Sequence, residues 1–358
     1  MNILWIQKRK CLKLLICFAI GMIICFYLLS QYISLNFYHF LYHINSIHCY
    51  QMKSESLPEI SEVTPTKGKS IFFHETSCKS FINGKIWISA RQACAVESAA
   101  KMNPNLDVYL LYTSPGVFHF KDDESDRILQ ALMTYDNIRI MHLDYEKYTH
   151  GTPVENLYSS GKIENSNWAQ SHASDVLRYL TLWKYGGIYL DLDVIVTKTL
   201  ENLSPNYAGA ESERNVAAGI LSFAPTGRGH VFANTCLNDL KDHFNGQDWG
   251  YNGPGVITRL LKVICGTKLA KDMINKDCQG FTVYPPDRFY AVPWWNWTMY
   301  FNEENKEAVI NLSNNSYAIH VWNKHSVDTK IPLTSNVPYL YFARKYCPKV
   351  VEECDEFF

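Results

Sequence analysis

The stretch from residue 167 to residue 196, NWAQSHASDVLRYLTLWKYGGIYLDLDVIV, constrains the fold more than any other part of the chain. Its first half shows the i, i+4, i+7 spacing of an amphipathic helix at Val176, Leu180 and Trp183. Ser171 is available as the N-cap, and Gly186-Gly187 can end the helix. The pattern therefore predicts a helix that a glycine pair separates from the segment after it.

That second segment predicts a strand beginning at Ile188, because apolar and polar residues alternate along it. Asp191 and Asp193 then lie on one face, where two carboxylates can hold a divalent cation. A D-x-D pattern alone has low specificity, and two solvated acids on an exposed strand are the alternative. The apolar residues that follow continue a buried-strand pattern, which favours a metal site because unused buried acids are costly.

The N-terminal region predicts a membrane anchor. Four basic residues lie between positions 8 and 13, and an uncharged, mainly apolar run extends from 14 to 36, long enough to span a bilayer as a helix. The basic flank places residues 1 to 13 in the cytosol. A cleaved signal peptide is the alternative, but no small-x-small cleavage site follows the run. Residues 37 to 69 lack periodicity and are interpreted as a lumenal stem.

Residues 70 to 358 are interpreted as one α/β domain. Segments 70–74, 107–112 and 137–143 predict strands, and segment 89–100 predicts a helix. This order is typical of nucleotide-binding α/β layers, whose ligands collect at the carboxyl ends of the strands. The net charge of −1 argues against nucleic acid as a partner.

Eight cysteines follow the apolar run, an even number that permits disulfides in an oxidising compartment. Proximity in sequence suggests three pairs, Cys78–Cys94, Cys265–Cys278 and Cys347–Cys354, although the sequence does not settle the connectivity. Zinc binding is the alternative, but the chain contains no C-x-x-C pair.

N-glycosylation sequons begin at Asn296, Asn311 and Asn314. A fourth, at Asn202, is weakened by the proline that follows it. A lumenal location would permit occupancy of these sites.

The segment SDVLRYLTLWKYGGIYLDLDVIV resembles the sugar-nucleotide-binding core of glycosyltransferase family 32, and its S-D-x-x-R, G-G-I-Y and D-x-D elements also resemble the glucosylating clostridial toxins. Five further motifs resemble the α-1,4-glycosyltransferase branch of that family: FFHETSC, CAVESAAKMNP, WGYNGPGVITR, CQGFTVYPPDRFYAVPW and AIHVWNKHS. The resemblance extends from about residue 71 to residue 348 and implies a GT-A fold, a UDP-sugar donor, Mn²⁺, and a retaining reaction in a type II Golgi membrane protein.

The resemblance also implies roles for individual residues. Asp193 would bind the metal directly, while Asp191 would contact the donor ribose and reach the metal through water. Asp175 and Arg178 would hold the hydroxyls of the donor sugar; a solvated i, i+3 ion pair is the alternative. Tyr189 shares the face of the two acids and is expected either near the nucleotide or in the core.

Two later segments complete the implied site. The loop WGYNGPG would contact the donor sugar or the acceptor, with Asn252 and Gly253 as the expected donor contacts. In AIHVWNKHS, His320 is expected to be a third metal ligand, with Lys324 and Ser326 contacting the diphosphate; a core histidine is the alternative. Three tryptophans could form an acceptor platform or part of the core, namely Trp294, Trp295 and Trp297.

The resemblance, together with the predicted anchor, implies a Golgi retaining α-1,4-glycosyltransferase that moves galactose or N-acetylgalactosamine from a UDP-sugar to the terminal sugar of a glycosphingolipid. No second acid pair near the D-x-D motif identifies a nucleophile, which favours front-face substitution. A lumenal nucleotide-sugar hydrolase and a non-catalytic, membrane-anchored lectin-like binder are the alternatives.

Overall fold

The computed structural model describes residues 20–23, 25–30 and 46–358. The chain divides into two compact units, Met1–Asn45 and Ser46–Phe358, and the second carries the fold described below. The predicted cytoplasmic tail lies outside the described residues, as do most positions of the predicted membrane span. None of the described helices combines the length and the hydrophobicity needed to cross a membrane.

The strands of the described region form two sheets. In chain order they are β1 (Ser70–Glu75), β2 (Asp107–Tyr112), β3 (Ile138–His142), β4 (Gly187–Leu190), β5 (Val194–Val196), β6 (Tyr207–Ala210), β7 (Val216–Phe223), β8 (Thr282–Tyr284) and β9 (Ala318–His320). The larger sheet has the order β3-β2-β1-β4-β7-β6-β8, and β5 pairs with β9 in the smaller one.

The arrangement of the larger sheet creates a site for ligands. Strands β3, β2, β1 and β4 are parallel neighbours, whereas β7 is antiparallel to β4. The chain moves from β1 outwards to β2 and β3, then returns to place β4 on the other side of β1. The carboxyl ends of β1 and β4 therefore flank a topological switch point, where open α/β sheets bind their ligands.

Helices cover both faces of this sheet. Within residues 46 to 358 the α-helices are α1 (Lys79–Asn83), α2 (Ala90–Met102), α3 (Glu124–Met133), α4 (Tyr145–Thr149), α5 (Glu155–Ser159), α6 (Ala169–Tyr185), α7 (Gly227–His243), α8 (Pro254–Ile264), α9 (Lys306–Leu312), α10 (Asn323–Ser326), α11 (Pro338–Tyr346) and α12 (Pro348–Glu352). Ile71 and Phe73 of β1 pack in one hydrophobic cluster with α2, and Phe72 packs in the other with α6. The predicted α/β class is confirmed.

The segment around the two acids departs from the prediction at two points. Helix α6 begins at Ala169, so Ser171 lies inside the helix rather than at its N-cap. The predicted continuous strand is wrong: β4 ends at Leu190 and the chain turns before β5. The turn forms because the Val194 N–H donates to the Asp191 carbonyl over 3.1 Å. The two acids therefore lie in a turn between two sheets.

The glycine stop is confirmed at Gly186 and Gly187, whose φ angles are +63° and +89°. A Cβ at Gly186 would collide with the backbone of Pro225, and one at Gly187 with the carbonyl of Ser70. Glycine at both positions therefore allows β4 to enter the sheet directly after α6.

Helix α2 connects the acidic turn to the C-terminal helices. Its Ser98 Oγ accepts a hydrogen bond from the Val196 N–H of β5 at 2.9 Å. The buried Glu97 carboxylate accepts bonds from the backbone N–H groups of Lys349 and Val350 at 3.1 and 2.8 Å, which satisfies donors at the start of α12. Glu97 and Ser98 of the CAVESAA motif thus have structural roles in this fold.

The compact unit begins earlier than the sequence predicted. Residues 46 to 69, interpreted as stem, belong to the unit Ser46–Phe358. Ile47 and Ile60 are buried in its hydrophobic core. A disulfide joins Cys49 to Cys78, which ties this segment to the start of α1. The boundary predicted at residue 69 is therefore wrong for this part of the stem.

Only one of the suggested disulfides is confirmed, Cys265–Cys278. The pairs Cys78–Cys94 and Cys347–Cys354 are wrong, since Cys78 bonds to Cys49 and Cys94 bonds to Cys347. The last pair spans 253 residues because α11 packs against α2, a tertiary contact that proximity in sequence does not indicate.

The side chains of Asn296, Asn311 and Asn314 are exposed, as glycosylation would require. The sequon hydroxyl residues Ser313 and Ser316 are buried. Glycosylation at these positions stays a prediction.

Candidate active site

A cavity of about 950 Å³ opens at the switch point. Residues 74 to 77 at the end of β1 form one wall, and α6 contributes Asp175 and Arg178. The remaining walls are formed by the acidic turn, residues 217 to 219 of β7, residues 248 to 251, and residues 320 and 322 to 325. The cavity thus gathers residues that are far apart in the sequence.

Arg178 is the central cation of the site. Its guanidinium lies 3.2 Å from the Asp175 carboxylate and 3.1 Å from the Asp191 carboxylate, and it donates to the Ala218 carbonyl at 2.9 Å. Its side chain is nearly buried, so the interpretation as a solvated surface pair is wrong. The Tyr189 hydroxyl donates to the same Asp191 carboxylate at 2.7 Å, so Asp191 is held by two donors.

Asp175 has the opposite electrostatic environment from Asp191. Burial raises the pKa of Asp175 to about 7, because Arg178 only partly offsets the loss of solvation. Burial also raises the pKa of Asp191, but Arg178 and His320 outweigh this effect and bring it to about 2. Arg178 therefore pairs with two carboxylates that have different pKa values, and Asp191 ionises at a lower pH than Asp175.

Asp191, Asp193 and His320 form a cluster whose potential ligand atoms all lie within 4.8 Å of one another. The Val194↔His320 register between β5 and β9 brings the histidine to the turn. Its Nε2 lies 3.3 Å from Asp193 and 3.6 Å from Asp191. Burial lowers the pKa of His320, but the two acids raise it above its usual value.

Two observations show that a divalent cation fits this cluster. The donor set of two carboxylates and an imidazole is one that divalent metals accept. A Cβ at Gly219 would lie 2.8 Å from the Asp191 carboxylate and 3.0 Å from His320 Nε2, so glycine leaves space beside both groups. Nε2 is the ring nitrogen of His320 that faces both acids, and a cation that binds there would displace a proton from the imidazolium.

The structure brings most of the predicted site residues to the cavity. Tyr189 is buried behind Asp191, and His320, Lys324 and the two acids line the wall. Gly253 lies against Asp175, since a Cβ at this position would collide with that carboxylate. The functional roles of these residues stay predictions.

Three predicted donor contacts, Asn252, Gly253 and Ser326, are not among the residues that line the cavity. The Asn252 amide is buried and pairs with the backbone of Asn245 at 2.9 and 2.7 Å, so it shapes the loop. The Ser326 hydroxyl is buried and donates to the Trp322 carbonyl at 3.4 Å. Their observed contacts are internal to the fold.

Gly219 lines the cavity and was not predicted from the sequence, whereas Trp249 belongs to the loop WGYNGPG that was expected at the site; Glu75 lines the cavity as well. The small-residue run Ala217-Ala218-Gly219 within a strand could have indicated a close approach at Gly219. Lys324 Nζ lies 3.3 Å from the ring centroid of Trp249. Glu75 is the last residue of the buried strand β1, and its Oε2 is buried without a hydrogen-bond partner in the structure.

Glu75→Gln is expected to stabilise the protein more at high pH than at low pH. Burial raises the pKa of Glu75 to about 7, against about 4.3 in an unfolded chain. Between these two pKa values the unfolded chain has lost the Glu75 proton while the folded protein still holds it. The free energy of unfolding of the wild type therefore falls as pH rises from about 4.3 to about 7. At about pH 8 the variant should gain roughly 2–3 kcal/mol over the wild type, narrowing to roughly 1 kcal/mol at about pH 5. Urea denaturation at both pH values measures this; an equal difference at both would contradict the assignment.

Three tryptophans lie near the mouth of the cavity. Trp294 lines it and is 45% exposed, and Trp295 is 55% exposed. His325 stacks on Trp294 at a centroid distance of 5.8 Å and on Trp297 at 6.5 Å. Trp297 packs against the hydrophobic core, so the platform and core interpretations apply to different members of the group.

Two family models match the chain. One, described as the alpha 1,4-glycosyltransferase conserved region, matches residues 225–354. The other, described as the glycosyltransferase sugar-binding region containing the DXD motif, matches residues 89–210.

The relatives include lactosylceramide 4-alpha-galactosyltransferase of Homo sapiens, 34% identical over 291 residues, which cover 80% of this chain and 78% of that protein. The enzyme of the same name from Mus musculus is 33% identical over 294 residues, covering 82% and 78%. Alpha-1,4-N-acetylglucosaminyltransferase of Homo sapiens is 29% identical over 272 residues, covering 73% and 75%.

A more distant likeness is to the glycosyltransferase GlyE of Streptococcus pneumoniae TIGR4, with a TM-score of 0.40 and 14% identity over 81% of this chain and 63% of that one. Similarity at this level does not indicate a shared function.

These findings place the protein in the class of glycosyltransferases with a DXD motif, since the matched sugar-binding region includes both α6 and the acidic turn. At 34% identity over 78% of a curated relative, the resemblance extends far beyond this motif. The chain belongs to the α-1,4-glycosyltransferase family, and the protein is a hexosyltransferase.

Proposed function

We propose that this protein is a retaining α-1,4-glycosyltransferase of the GT-A type. It transfers galactose or N-acetylgalactosamine from a UDP-sugar to the terminal sugar of a glycosphingolipid. The observation that carries the proposal is the Asp191–Asp193–His320 cluster beside the buried Asp175–Arg178 pair in one cavity. The name of the relative lactosylceramide 4-alpha-galactosyltransferase supports the glycolipid acceptor.

Asp191, Asp193 and His320 would hold the cation, for which we propose Mn²⁺ because it accepts both carboxylate and imidazole ligands. When bound, this ion neutralises charge on the diphosphate of the departing UDP. The chain itself contributes the Asn323 N–H, which donates to Asp193 at 2.8 Å and fixes the orientation of that carboxylate.

Lys324 would bind the diphosphate. Its ammonium faces the ring of Trp249, and burial lowers its pKa. A phosphate oxygen is a stronger, charge-assisted partner than an indole ring. Donor binding would therefore draw Lys324 away from Trp249 and leave that ring face available for a sugar.

Asp175 would accept hydrogen bonds from donor-sugar hydroxyls, since Arg178 and the neighbouring Gly253 fix its carboxylate at the cavity wall. We favour front-face substitution. In this reaction the bond between the sugar and UDP breaks on the face where the acceptor oxygen attacks, and the departing diphosphate takes the acceptor proton. Arg178 would stay paired with both Asp175 and Asp191 during the reaction and offset the repulsion between the two carboxylates.

A donor-by-acceptor panel on the purified protein tests the proposal. UDP-galactose, UDP-N-acetylgalactosamine and UDP-N-acetylglucosamine are each incubated with Mn²⁺ and lactosylceramide or longer glycosphingolipids. Transfer of galactose or N-acetylgalactosamine to lipid is the expected result. Release of free sugar would instead identify a hydrolase, and donor or glycan binding without turnover would identify a lectin-like binder.

We also propose that residues 14 to 36 anchor the protein in the Golgi membrane as a single-pass type II protein with a lumenal catalytic domain. The basic residues before the apolar run support this orientation. A fluorescent reporter fused to residues 1 to 45 should localise to the Golgi and be protected from protease in sealed vesicles. Secretion of the reporter would contradict the anchor without affecting the enzymatic proposal.

Trp294→Ala is expected to raise the KM for the glycolipid acceptor about 5-fold, because stacking on an aromatic face is worth about 1 kcal/mol. The KM for the UDP-sugar should stay unchanged. Trp87→Ala is the matched control, since Trp87 is half-buried and does not line the cavity. Initial rates at varied acceptor and donor concentrations separate the two constants, and a parallel rise in both would contradict an acceptor role.

A further inference from the structure

Arg91 is a buried cation that the site described above does not use. It is the second residue of α2, and it is 9% exposed. Its guanidinium donates to three backbone carbonyls, those of Ser326 at 2.9 Å, of Phe358 at 3.4 Å, and of Thr329. All three acceptors lie more than 230 residues away in the sequence.

Two aromatic rings pack against the guanidinium of Arg91. The rings of Phe301 and Tyr339 lie 5.4 and 5.5 Å from the guanidinium carbon. Burial lowers the pKa of Arg91, and the ion pairs within residues 46 to 358 do not include it. No Asp or Glu side chain among the described residues pairs with Arg91, so its hydrogen bonds to main-chain oxygens must offset the cost of burying the charge.

Two of the carbonyls belong to the segment of residues 322 to 329, whose first four residues line the cavity. The segment enters through Trp322 in the left-handed region, with φ of +58°, and continues as the four-residue helix α10. Its Asn323 N–H donates to Asp193, and Lys324 and His325 line the cavity.

A helix of four residues has little stability of its own. Its last carbonyls have no partners within the helix, and a cation near them is favourable. Arg91 supplies this cation and two donors at the end of α10, opposite the end that contacts Asp193. The α10 segment is therefore held between α2 and the acidic turn.

We propose that Arg91 is a positioning residue for donor and metal binding, which holds residues 322 to 329 so that the Asn323 N–H meets Asp193 and Lys324 faces the cavity. The inference rests on the proposed function, because it takes Lys324 as a diphosphate contact. Arg91 touches neither the donor nor the metal and acts through α10.

The test uses Arg91→Met and Arg91→Lys in the full chain. UDP binding is measured by titration calorimetry with Mn²⁺ and without acceptor, and the Mn²⁺ concentration for half-maximal UDP binding is measured separately. Arg91→Met should weaken UDP binding and raise the Mn²⁺ requirement by about 10-fold, as removal of a supporting contact to a metal site does. Arg91→Lys keeps the positive charge but reaches fewer carbonyls. Its UDP affinity and Mn²⁺ requirement should therefore lie between those of the wild type and those of Arg91→Met.

Lys85→Met is the matched control. Lys85 is also a buried cation, but it pairs with Asp123 and Asp126 at 2.6 Å and does not line the cavity. This variant should lose thermal stability and keep wild-type UDP and Mn²⁺ binding. If Arg91→Met loses stability in the same way without a change in UDP or Mn²⁺ affinity, Arg91 is only structural.

If Arg91→Met does not fold, Arg91→Lys decides the question, since wild-type UDP affinity in that variant would overturn the inference. A wild-type protein that binds no UDP in the presence of Mn²⁺ would overturn the proposed function and this inference together. Unchanged affinity in the Arg91 variants would overturn this inference alone.

Discussion

Asp193→Asn is expected to lower the rate of sugar transfer by at least about 100-fold while the protein still folds. A carboxamide is neutral and a poorer ligand for a hard cation than a carboxylate. Folding should survive because the asparagine carbonyl can still accept the bond that the Asn323 N–H makes to Asp193. Asp193 is a better choice than Asp191 because it has no ion pair with Arg178 among the described residues.

The measurement is the transfer rate as a function of Mn²⁺ concentration, before and after EDTA treatment. Wild-type activity should disappear with EDTA and return with Mn²⁺ better than with Ca²⁺, because a compact site disfavours the larger ion. Asp242→Asn, at an exposed position on α7, is the control and should behave like the wild type. Wild-type Mn²⁺ dependence in Asp193→Asn would remove the metal assignment.

The local pattern around the acids was predictable because helices and strands have fixed periodicities. The spacing of Val176, Leu180 and Trp183 correctly predicted α6, and the glycine pair correctly predicted its end. The same reasoning failed between Leu190 and Val194, since alternation continues through the turn and gives no sign of it. The break depends on pairing of β5 with β9, a strand more than 120 residues later.

Contacts between distant segments limited the prediction of the site. The family resemblance pointed to His320, and the structure places it within reach of both acids. Nothing in the local sequence linked Arg91 to α10, or Cys94 to Cys347, because backbone carbonyls and packed helices leave no residue pattern. Gly219 was missed for a related reason, since its importance lies in the side chains opposite it.

Arg178→Met is expected to separate the structural and functional roles of the central cation. Methionine approximates the apolar part of the arginine side chain but leaves Asp175 and Asp191 close together without their shared partner. Removing one member of a buried ion pair lowers the free energy of unfolding by about 3–5 kcal/mol. The transfer rate should also fall by at least about 100-fold, because Asp191 loses the partner that keeps it ionised.

The loss of stability should depend on pH. Without Arg178 the pKa of Asp191 in the folded state rises from about 2, and that of Asp175, which burial already raises to about 7, rises further. The destabilisation relative to the wild type therefore grows as pH rises above about 2, because both acids ionise less readily in the folded variant. Urea denaturation at about pH 5 and about pH 7 measures the difference.

The double variant Arg178→Met/Asp175→Asn removes one of the two unpaired charges, so it should regain part of the stability at about pH 7 while transfer stays lost. Stability and transfer are measured on the same preparations, because the first reports the buried charges and the second reports the site that Arg178 organises. If the double variant regained both, the effect of Arg178 on transfer would come from folding alone. If it regained neither stability nor transfer, the unpaired charge of Asp175 would not be the cause of the destabilisation. The destabilisation would then come from Asp191, which has lost its ion pair with Arg178, and from the Ala218 carbonyl of β7, which has lost the hydrogen bond from Arg178.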